Sequence, residues 1–492
     1  MKTRKNILFL ILGISVIAIS LIVFLILRNI PDTVNGTAAI SIQNNQTAAS
    51  DGITTITYAV PDFCVINKNN VTLFNEELQK NGHKYQLELK YLSYETYSQD
   101  VKTELENGTV DVAFLGLSDG DNCVYSLINS GAVINLDEAL SSGKGKVVYD
   151  EFPRALWESV KCNGHIYSIP QTLAQEQVTY AVFNKDYVGQ EAIDNWDGSI
   201  DGIYEIIRNV KWNDEETPRF QYLLSDFGFE SMIGCEIRYG LVYDYDTMKI
   251  EKPLESKKFM NYISTLEKMK KEGFIGKSVS YFQNSAYADE DAKLRAGKFV
   301  VVLTSDEADN MYKKDNLCIK EIAPVLTSRI NGSIGISSKT DKVDAALDLL
   351  GVLYGEGNYG NLLLYGRPDI DYKLSDGYVV NTDGSEYRYD FLNKLALNLF
   401  VNVYPVQGEI FPENRKEEYF AFYSKVKLSP FIGFEADTAG NSTIPNDVEN
   451  FLASLNSFTL EEAVAEFSKK YQSDGIDEYY DSVKKQWEAF KQ

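Results

Sequence analysis

Histidine is almost absent from this chain, with two in 492 residues. Cysteine is sparse as well. The five (Cys64, Cys123, Cys162, Cys235, Cys318) contain no Cys-x-x-Cys pair. A structural zinc site needs closely spaced thiolates and imidazoles, so no metal centre is expected. His83 sits in Asn81-Gly82-His83-Lys84 and His165 follows Asn163-Gly164, so both read as exposed turn residues rather than catalytic ones. Neither His-Glu-x-x-His nor the phosphate-binding Gly-x-x-x-x-Gly-Lys-Ser/Thr occurs. Positive charge is also short, at 48 Lys and Arg against 71 Asp and Glu, a net of −23. Four of the basic residues fall within the first 28, leaving 44 basic against 71 acidic beyond them, a net of −27. Such a surface repels phosphate backbones and anionic headgroups, which excludes nucleic-acid binding.

What the chain does have is length and one long apolar run. A single hydrophobic core does not extend over 492 residues, so two or three domains are expected. Ile7 to Leu27 carries no charge and is long enough to cross a hydrocarbon layer of ~30 Å. Lys2, Arg4 and Lys5 precede it. The positive-inside rule then gives a cytoplasmic tip (1–6), a transmembrane signal anchor (7–28) and an extracellular remainder. The nearest small-x-small cleavage site, Thr37-Ala38-Ala39, lies well past the run, and no cysteine near residue 28 is available for a lipid. An uncleaved anchor is expected, with a cleaved, secreted form as the alternative. Residues 29–53, rich in Asn, Thr, Ser and Gln, read as a flexible stalk.

Beyond the stalk, apolar runs of period two alternate with helical patterns. Strands are expected at Thr54–Ala59, Lys84–Leu92 and Val110–Leu115, with helices at 69–80 and 95–106 between them. That alternation predicts βαβ units and a parallel sheet. Phe259, Tyr262, Ile263, Leu266 and Met269 recur at helical spacing up to Gly273. A terminal helical segment over 456–492 is expected to break at Asp474-Gly475.

Several short motifs then occur in a telling order. Asn163-Gly164-His165-Ile166-Tyr167-Ser168-Ile169-Pro170, followed by Val182-Phe183-Asn184-Lys185-Asp186, resembles the crossover signature of family 1 extracellular solute-binding proteins, the receptors of bacterial ABC importers. Asp111-Val112-Ala113-Phe114, Leu294–Leu303 and Asn331–Ser337 resemble that family's segments in the expected order. Leu362–Tyr372 and Ser429–Asp437 are similar to a Gram-positive oligosaccharide-receptor lipoprotein subgroup, departing from it at Ala436 and in the missing lipobox. The resemblance implies an α/β, two-lobed periplasmic-binding-protein-like fold with a hinge and an inter-lobe ligand cleft. Lobe 1 would comprise 54–177 and 318–356, and lobe 2 would comprise 178–317 and 357–455. The expected partners are a small solute, an ABC permease and its ATPase, and the membrane through the N-terminal helix. A monomer is expected, with no cofactor.

Position after each strand nominates the cleft residues. These are Asp62, Phe63, Ser118 and Asp119 from the first lobe, then Gln171, Glu176 and Gln177 at the crossover. Phe227, Phe229, Thr304, Ser305, Asp306 and Phe434 come from the second lobe. Acids, amides and hydroxyls would bind ligand hydroxyls while phenylalanines stack on a sugar's C–H face. A carbohydrate fits this list, and so does a cation such as an amine or a thiamine-like heterocycle. Cys64 and Cys123 are the candidate disulfide, against a reading of all five cysteines as buried or idle thiols. Thiaminase I has a related fold with a nucleophilic cysteine after a Pro-Gln-x-Leu turn. Here Pro170-Gln171-Thr172-Leu173 is followed by Ala174-Gln175, so that enzyme is the weaker alternative. A ligand sensor for a membrane signalling partner is the third reading.

Overall fold

The computed structural model describes residues 52–116, 123–171, 179–211, 220–222, 232–274, 298–305, 315–323, 325–328, 332–355, 357–385, 387, 396–399, 403–406, 415–438, 443–455 and 457–491. The apolar run at 7–28 and the stalk lie outside them. Among the described residues no helix is long and apolar enough to cross a membrane.

The chain opens with β1 (Thr54–Pro61), α1 (Lys68–Lys80), β2 (Tyr85–Leu92), α2 (Tyr97–Asn107) and β3 (Val112–Phe114). β1 pairs in parallel with both β2 and β3, as the alternating pattern predicts. α1 starts where Asn67 Oδ1 accepts from the Asn69 N–H (2.9 Å), which satisfies one of the first-turn donors. Its apolar stripe buries Phe74 and Leu78 against the sheet. After α3 (Cys123–Asn129), α4 (Gly143–Asp150) and α5 (Arg154–Ser159) comes a small hairpin, β4 (Lys161–Cys162) and β5 (His165–Ile166). Its two turn residues, Asn163 (φ 49°) and Gly164 (φ 90°), are both left-handed. Asn-Gly is the pair that reaches that conformation at least cost, so the local chemistry fixes the reversal.

The chain then enters a second unit: β6 (Thr179–Asn184), α6 (Gln190–Asp194), α7 (Ile200–Arg208), β7 (Phe220–Tyr222), a meander of β8 (Cys235–Arg238), β9 (Leu241–Asp244) and β10 (Lys249–Glu251), α8 (Lys257–Lys271), β11 (Val301–Ser305) and β12 (Leu317–Ile322). The second sheet has the order β12-β6-β11-β7, with β6 antiparallel to both neighbours. α8 buries Phe259, Tyr262, Ile263 and Met269, and Gly273 at φ 72° follows its end.

The return begins at β13 (Val325–Leu326) and β14 (Ile334–Ile336), which runs antiparallel to β3 and completes the first sheet as β14-β3-β1-β2. α9 (Val343–Gly355), α10 (Gly357–Tyr365), the hairpin β15 (Lys373–Ser375) and β16 (Tyr378–Val380), α11 (Arg415–Tyr423) and β17 (Lys427–Leu428) follow. α12 (Thr443–Ser454), α13 (Leu460–Ser473) and α14 (Ile476–Phe490) end the chain. A capping box of Thr459 and Glu462 starts α13, and Gly475 at φ 82° separates it from α14.

Two separate hydrophobic cores result. The first runs from Ile56 to Ile169 and from Leu326 to Tyr423, and the second from Ala181 to Ile322 and from Phe431 to Trp487. The chain therefore passes between cores three times: after Ile169, between Ile322 and Leu326, and between Tyr423 and Phe431. Two passages are tied together where β13 pairs with β17 and the Ser429 N–H donates to Leu326 O (2.8 Å).

This corrects the expected boundaries. β12 belongs to the second sheet, not to a lobe-1 segment beginning at 318. α10 and the segments through 423 pack in the first core, not in lobe 2. The terminal helical segment of 456–492 packs on the second core, where Phe467, Tyr471, Ile476, Val483 and Trp487 are buried. A strand's alternation tells that it pairs, not with which sheet, so sequence placed the first strands and helices well and the later partners poorly, and it left the β8–β10 meander unforeseen.

Candidate ligand site

β1 and β3 are parallel neighbours, so both finish at the same edge of the first sheet. In open α/β sheets ligands bind beyond the carboxyl ends of strands. Past β1, Asp62 is exposed and Phe63 half-buried. The Asp62 N–H donates to Leu92 O (2.8 Å), tying the loop to the end of β2. Asp62 Oδ1 accepts from the Tyr94 N–H (3.0 Å), and the Phe63 and Tyr94 rings meet edge to face at 5.5 Å. Past β3, the Leu115 N–H donates to Ser333 O and the Gly332 N–H to Leu115 O, both at 2.8 Å. Gln171 lies against this corner. A Cβ on Gly332 would stand 3.2 Å from Gln171 Oε1, so glycine there lets the amide approach the backbone. The preceding carbonyl, Pro170 O, accepts from Asn398 Nδ2 (2.8 Å), and Asn398 is itself buried at φ 58°. One edge thus presents a carboxylate, an amide and an aromatic pair, the groups that suit a ligand of hydroxyls and C–H faces.

A second polar cluster sits where the hairpin turn meets the second core. The Asn163 N–H donates to Gly433 O (2.8 Å), and Asn163 Oδ1 accepts from the Glu435 N–H (3.4 Å). The Glu435 side chain accepts from Arg238 Nη1 (3.3 Å) and from the Tyr239 hydroxyl. Burial raises the Glu435 carboxyl, opposed by the Arg238 charge and the Tyr239 hydrogen bond. Arg238 also faces Glu236 at 3.6 Å, beyond hydrogen-bonding range, and the Tyr243 ring lies 5.0 Å away. Next to it the Cys162 thiol is pushed up to about 12, by burial first and then by the Glu435 charge. That is the opposite of an activated nucleophile.

No protein-family model matches the chain. A Streptococcus pneumoniae carbohydrate ABC transporter substrate-binding protein is 22% identical over 454 residues, covering 84% of this chain and 88% of that protein. The crystal structure of the N-glycan transport solute binding protein NgtS, also from Streptococcus pneumoniae, superposes with a TM-score of 0.60 at 18% identity, over 89% of this chain and 98% of that one. An HMO-binding solute binding protein from Bifidobacterium longum infantis gives 0.52 at 16% identity, over 89% and 99%. The fold is that of a solute-binding protein. It has two domains of mixed α/β content, as the motif order implies.

Within the solute-binding fold the expected site residues divide. The structure brings Asp62, Phe63 and Gln171 to the ends of β1 and β3 or the crossover that adjoins them. Thr304 and Ser305 close β11, with backbone placed and side chains outside the described residues. Ser118, Asp119, Glu176, Gln177, Phe227, Phe229 and Asp306 also lie outside them. Phe434 is a correction. It is 1% exposed, packed on Tyr243, Trp487 and Phe490, so its ring has no free face to offer a ligand. Position after a strand nominated it for the cleft, but the aromatic C-terminal helix covers it.

Cys64 is fully buried in the first core rather than turned outward, and the Cys123 side chain lies outside the described residues, as does their pairing. The sequence list omitted Tyr94, although it stands two residues past β2 as Phe63 stands past β1, and Asn398, which follows no strand. It also passed over Gly116-Leu117-Ser118-Asp119-Gly120, which has the Gly-x-Ser-x-Gly spacing of a hydrolase elbow. Both histidines are engaged elsewhere: His83 Nδ1 is 3.3 Å from Asp348 and 3.0 Å from the Tyr85 hydroxyl, and His165 Nδ1 is 2.7 Å from Asp137. Among the described residues no cluster of His, Cys, Asp and Glu has the makings of a metal site.

Proposed function

We propose that this chain is the membrane-anchored extracellular receptor of an ABC importer and captures a carbohydrate, an oligosaccharide above all, by closing its two lobes on it. The observation that carries this is the pair of independent cores joined by three passages, with polar and aromatic side chains collected beyond the strand ends. Lobes linked by such passages rotate about them, and ligand between the lobes stabilises the closed arrangement through contacts to both. Asp62 and Gln171 would bind hydroxyls, and Phe63 with Tyr94 would cover a ring face. The second-lobe face of the cleft would come from the end of β11, with Asp306 beyond it, and from Phe227 and Phe229. The permease would read the closed surface, with the apolar run at 7–28 holding the monomer at the membrane.

The relatives support a receptor over an enzyme. Both the curated relative and the superposed structures are described as transport binding proteins. The test is a thermal-shift screen of the full chain against mono- and oligosaccharides, amines and thiamine, with chromatographic recovery of any hit. A saccharide at 100 times its Kd should stabilise the protein by ~2.7 kcal/mol and be recovered intact. A cleaved sugar would overturn the reading, as would a shift with thiamine or amines alone.

A further inference from the structure

The first lobe gathers tyrosines at the end where β1 finishes. α1 and α10 lie antiparallel: Asn81 Nδ2, just past α1, donates to the Tyr359 hydroxyl (2.8 Å), and Asn70 Nδ2, in its first turn, donates to Leu364 O (3.3 Å). The start of α1 directly follows the loop of Asp62 and Phe63, so Tyr365, the last residue of α10, stands at the same end of the lobe. The Tyr372 and Tyr387 rings lie 5.6 and 5.3 Å from the Tyr365 ring, and the Tyr365 hydroxyl donates to Tyr404 O (2.9 Å).

Residues 396–399 and 403–406 reach the crossover and this group respectively. The Tyr58 hydroxyl donates to Ala396 O (2.9 Å) and Asn398 Nδ2 donates to Pro170 O beside Gln171. Further along, the Val379 N–H of β16 donates to Pro405 O (2.7 Å). The described parts of this segment thus touch the crossover beside Gln171 at one end and the β15–β16 hairpin at the other.

Tyr365 and Tyr372 are buried and their packing alone accounts for them. Other members of the group are not. Tyr404 is 38% exposed, Leu374 45% and Ile370 60%, and Tyr387 is half-buried. Single exposed apolar residues need no explanation. These, however, share one rim with carboxylates. Burial, then the Tyr404 hydroxyl and Asp369, push the Tyr372 phenol up to about 12, and Asp371 acts on Tyr387 after burial. The acids lie in the same turn, where the Asp369 N–H donates to Tyr372 O (2.7 Å) and Asp371 Oδ2 accepts from the Arg367 N–H (2.8 Å) and Nε (3.1 Å), near exposed aromatic and aliphatic faces, a combination that accepts hydroxyls and covers C–H surface.

We propose that Tyr404, Tyr387 and the Ile370–Leu374 turn form an outer subsite for the distal sugar units of a saccharide whose inner units sit at Asp62, Phe63 and Gln171. This rests on the carbohydrate-receptor reading and deepens it: the chain selects for saccharide length, not only for sugar identity. A disaccharide is held by the inner residues alone, and a longer chain gains the outer wall.

The test is calorimetric titration of the full chain with matched pairs: maltose and maltopentaose, mannobiose and mannopentaose, cellobiose and cellopentaose. For the series that binds, the pentasaccharide should bind more tightly than the disaccharide. Tyr404→Ala should weaken the pentasaccharide about tenfold and leave the disaccharide within about twofold, and Ile370→Ser should do the same to a lesser degree. Tyr404→Phe, which keeps the ring, should retain most of the gain. Equal loss on both lengths, no loss on the longer one, or a wild-type preference for the disaccharide overturns the outer subsite and leaves the receptor intact. Binding to no member of any pair overturns the carbohydrate reading and the subsite with it.

Discussion

Arg238 and Glu435 form an ion pair of 3.3 Å between the β8–β9 hairpin and the passage that re-enters the second core, both enclosed by Tyr239, Tyr243 and Phe434. The same stretch of chain carries Gly433, on which the first lobe's Asn163 is docked. The pair thus shapes the surface against which the lobes meet.

Removing one partner of such a pair leaves a buried charge uncompensated. Glu435→Ala should cost about 3–5 kcal/mol, read as a lower urea midpoint. The double variant Arg238→Met with Glu435→Leu should lose less than the two single changes summed, because neither member of this pair is left facing an empty place, while Glu236 loses Arg238 in the single and the double variant alike. Additive losses would mean that the pair is not coupled.

Trp487 tests the corrected place of the C-terminal helix. It is buried against Phe431, Phe434 and Phe490. Trp487→Ala should destabilise the chain by about 3–5 kcal/mol, and deletion of 475–492 should unfold the second lobe. A loss of under about 0.5 kcal/mol would contradict the place of Trp487 in the second core.

Asp137 carries a pH signature. Burial works against its charge, but the Ile166 N–H (3.0 Å), His165 and Asn135 outweigh it and hold the carboxyl below its usual range. A depressed folded-state value contributes stability above the unfolded value of about 3.9, and that contribution is lost as pH falls through the folded one. Asp137→Asn should therefore lower the thermal midpoint at pH 7 and converge on wild type at the most acid pH the fold survives. A gap of constant size from pH 7 downward would exclude the ionised carboxylate as its source.

Gln171 offers a test of binding. Gln171→Ala should weaken the saccharide found in the screen by about fivefold to tenfold, the loss of one hydrogen bond. Unchanged affinity would remove the crossover amide from the site.

Local chemistry made much of this fold readable. The Asn163-Gly164 turn, the helix ended at Gly273 and the break at Gly475 each depend on residues within a turn of one another, and each stands where the sequence places it. What escaped was long-range. Nothing in Leu317–Ile322 says that it pairs with Thr179–Asn184 rather than with the first sheet. Phe434 reads as a platform until Trp487, far along the chain, covers it. Asn398 could not be nominated because its partner, the Pro170 carbonyl, is a backbone atom 228 positions away. Asp62 and Phe63 stand past β1 where the strand-end rule nominates them, while Tyr94, two residues past β2, meets both of them and was open to the same rule.

The most direct measurement is small-angle X-ray scattering of the chain with and without the saccharide that stabilises it. A receptor that traps its ligand between two lobes should contract, with a smaller radius of gyration at saturation and recovery when the sugar is removed. An unchanged radius at saturating ligand would contradict capture by closure and leave a rigid sugar-binding protein.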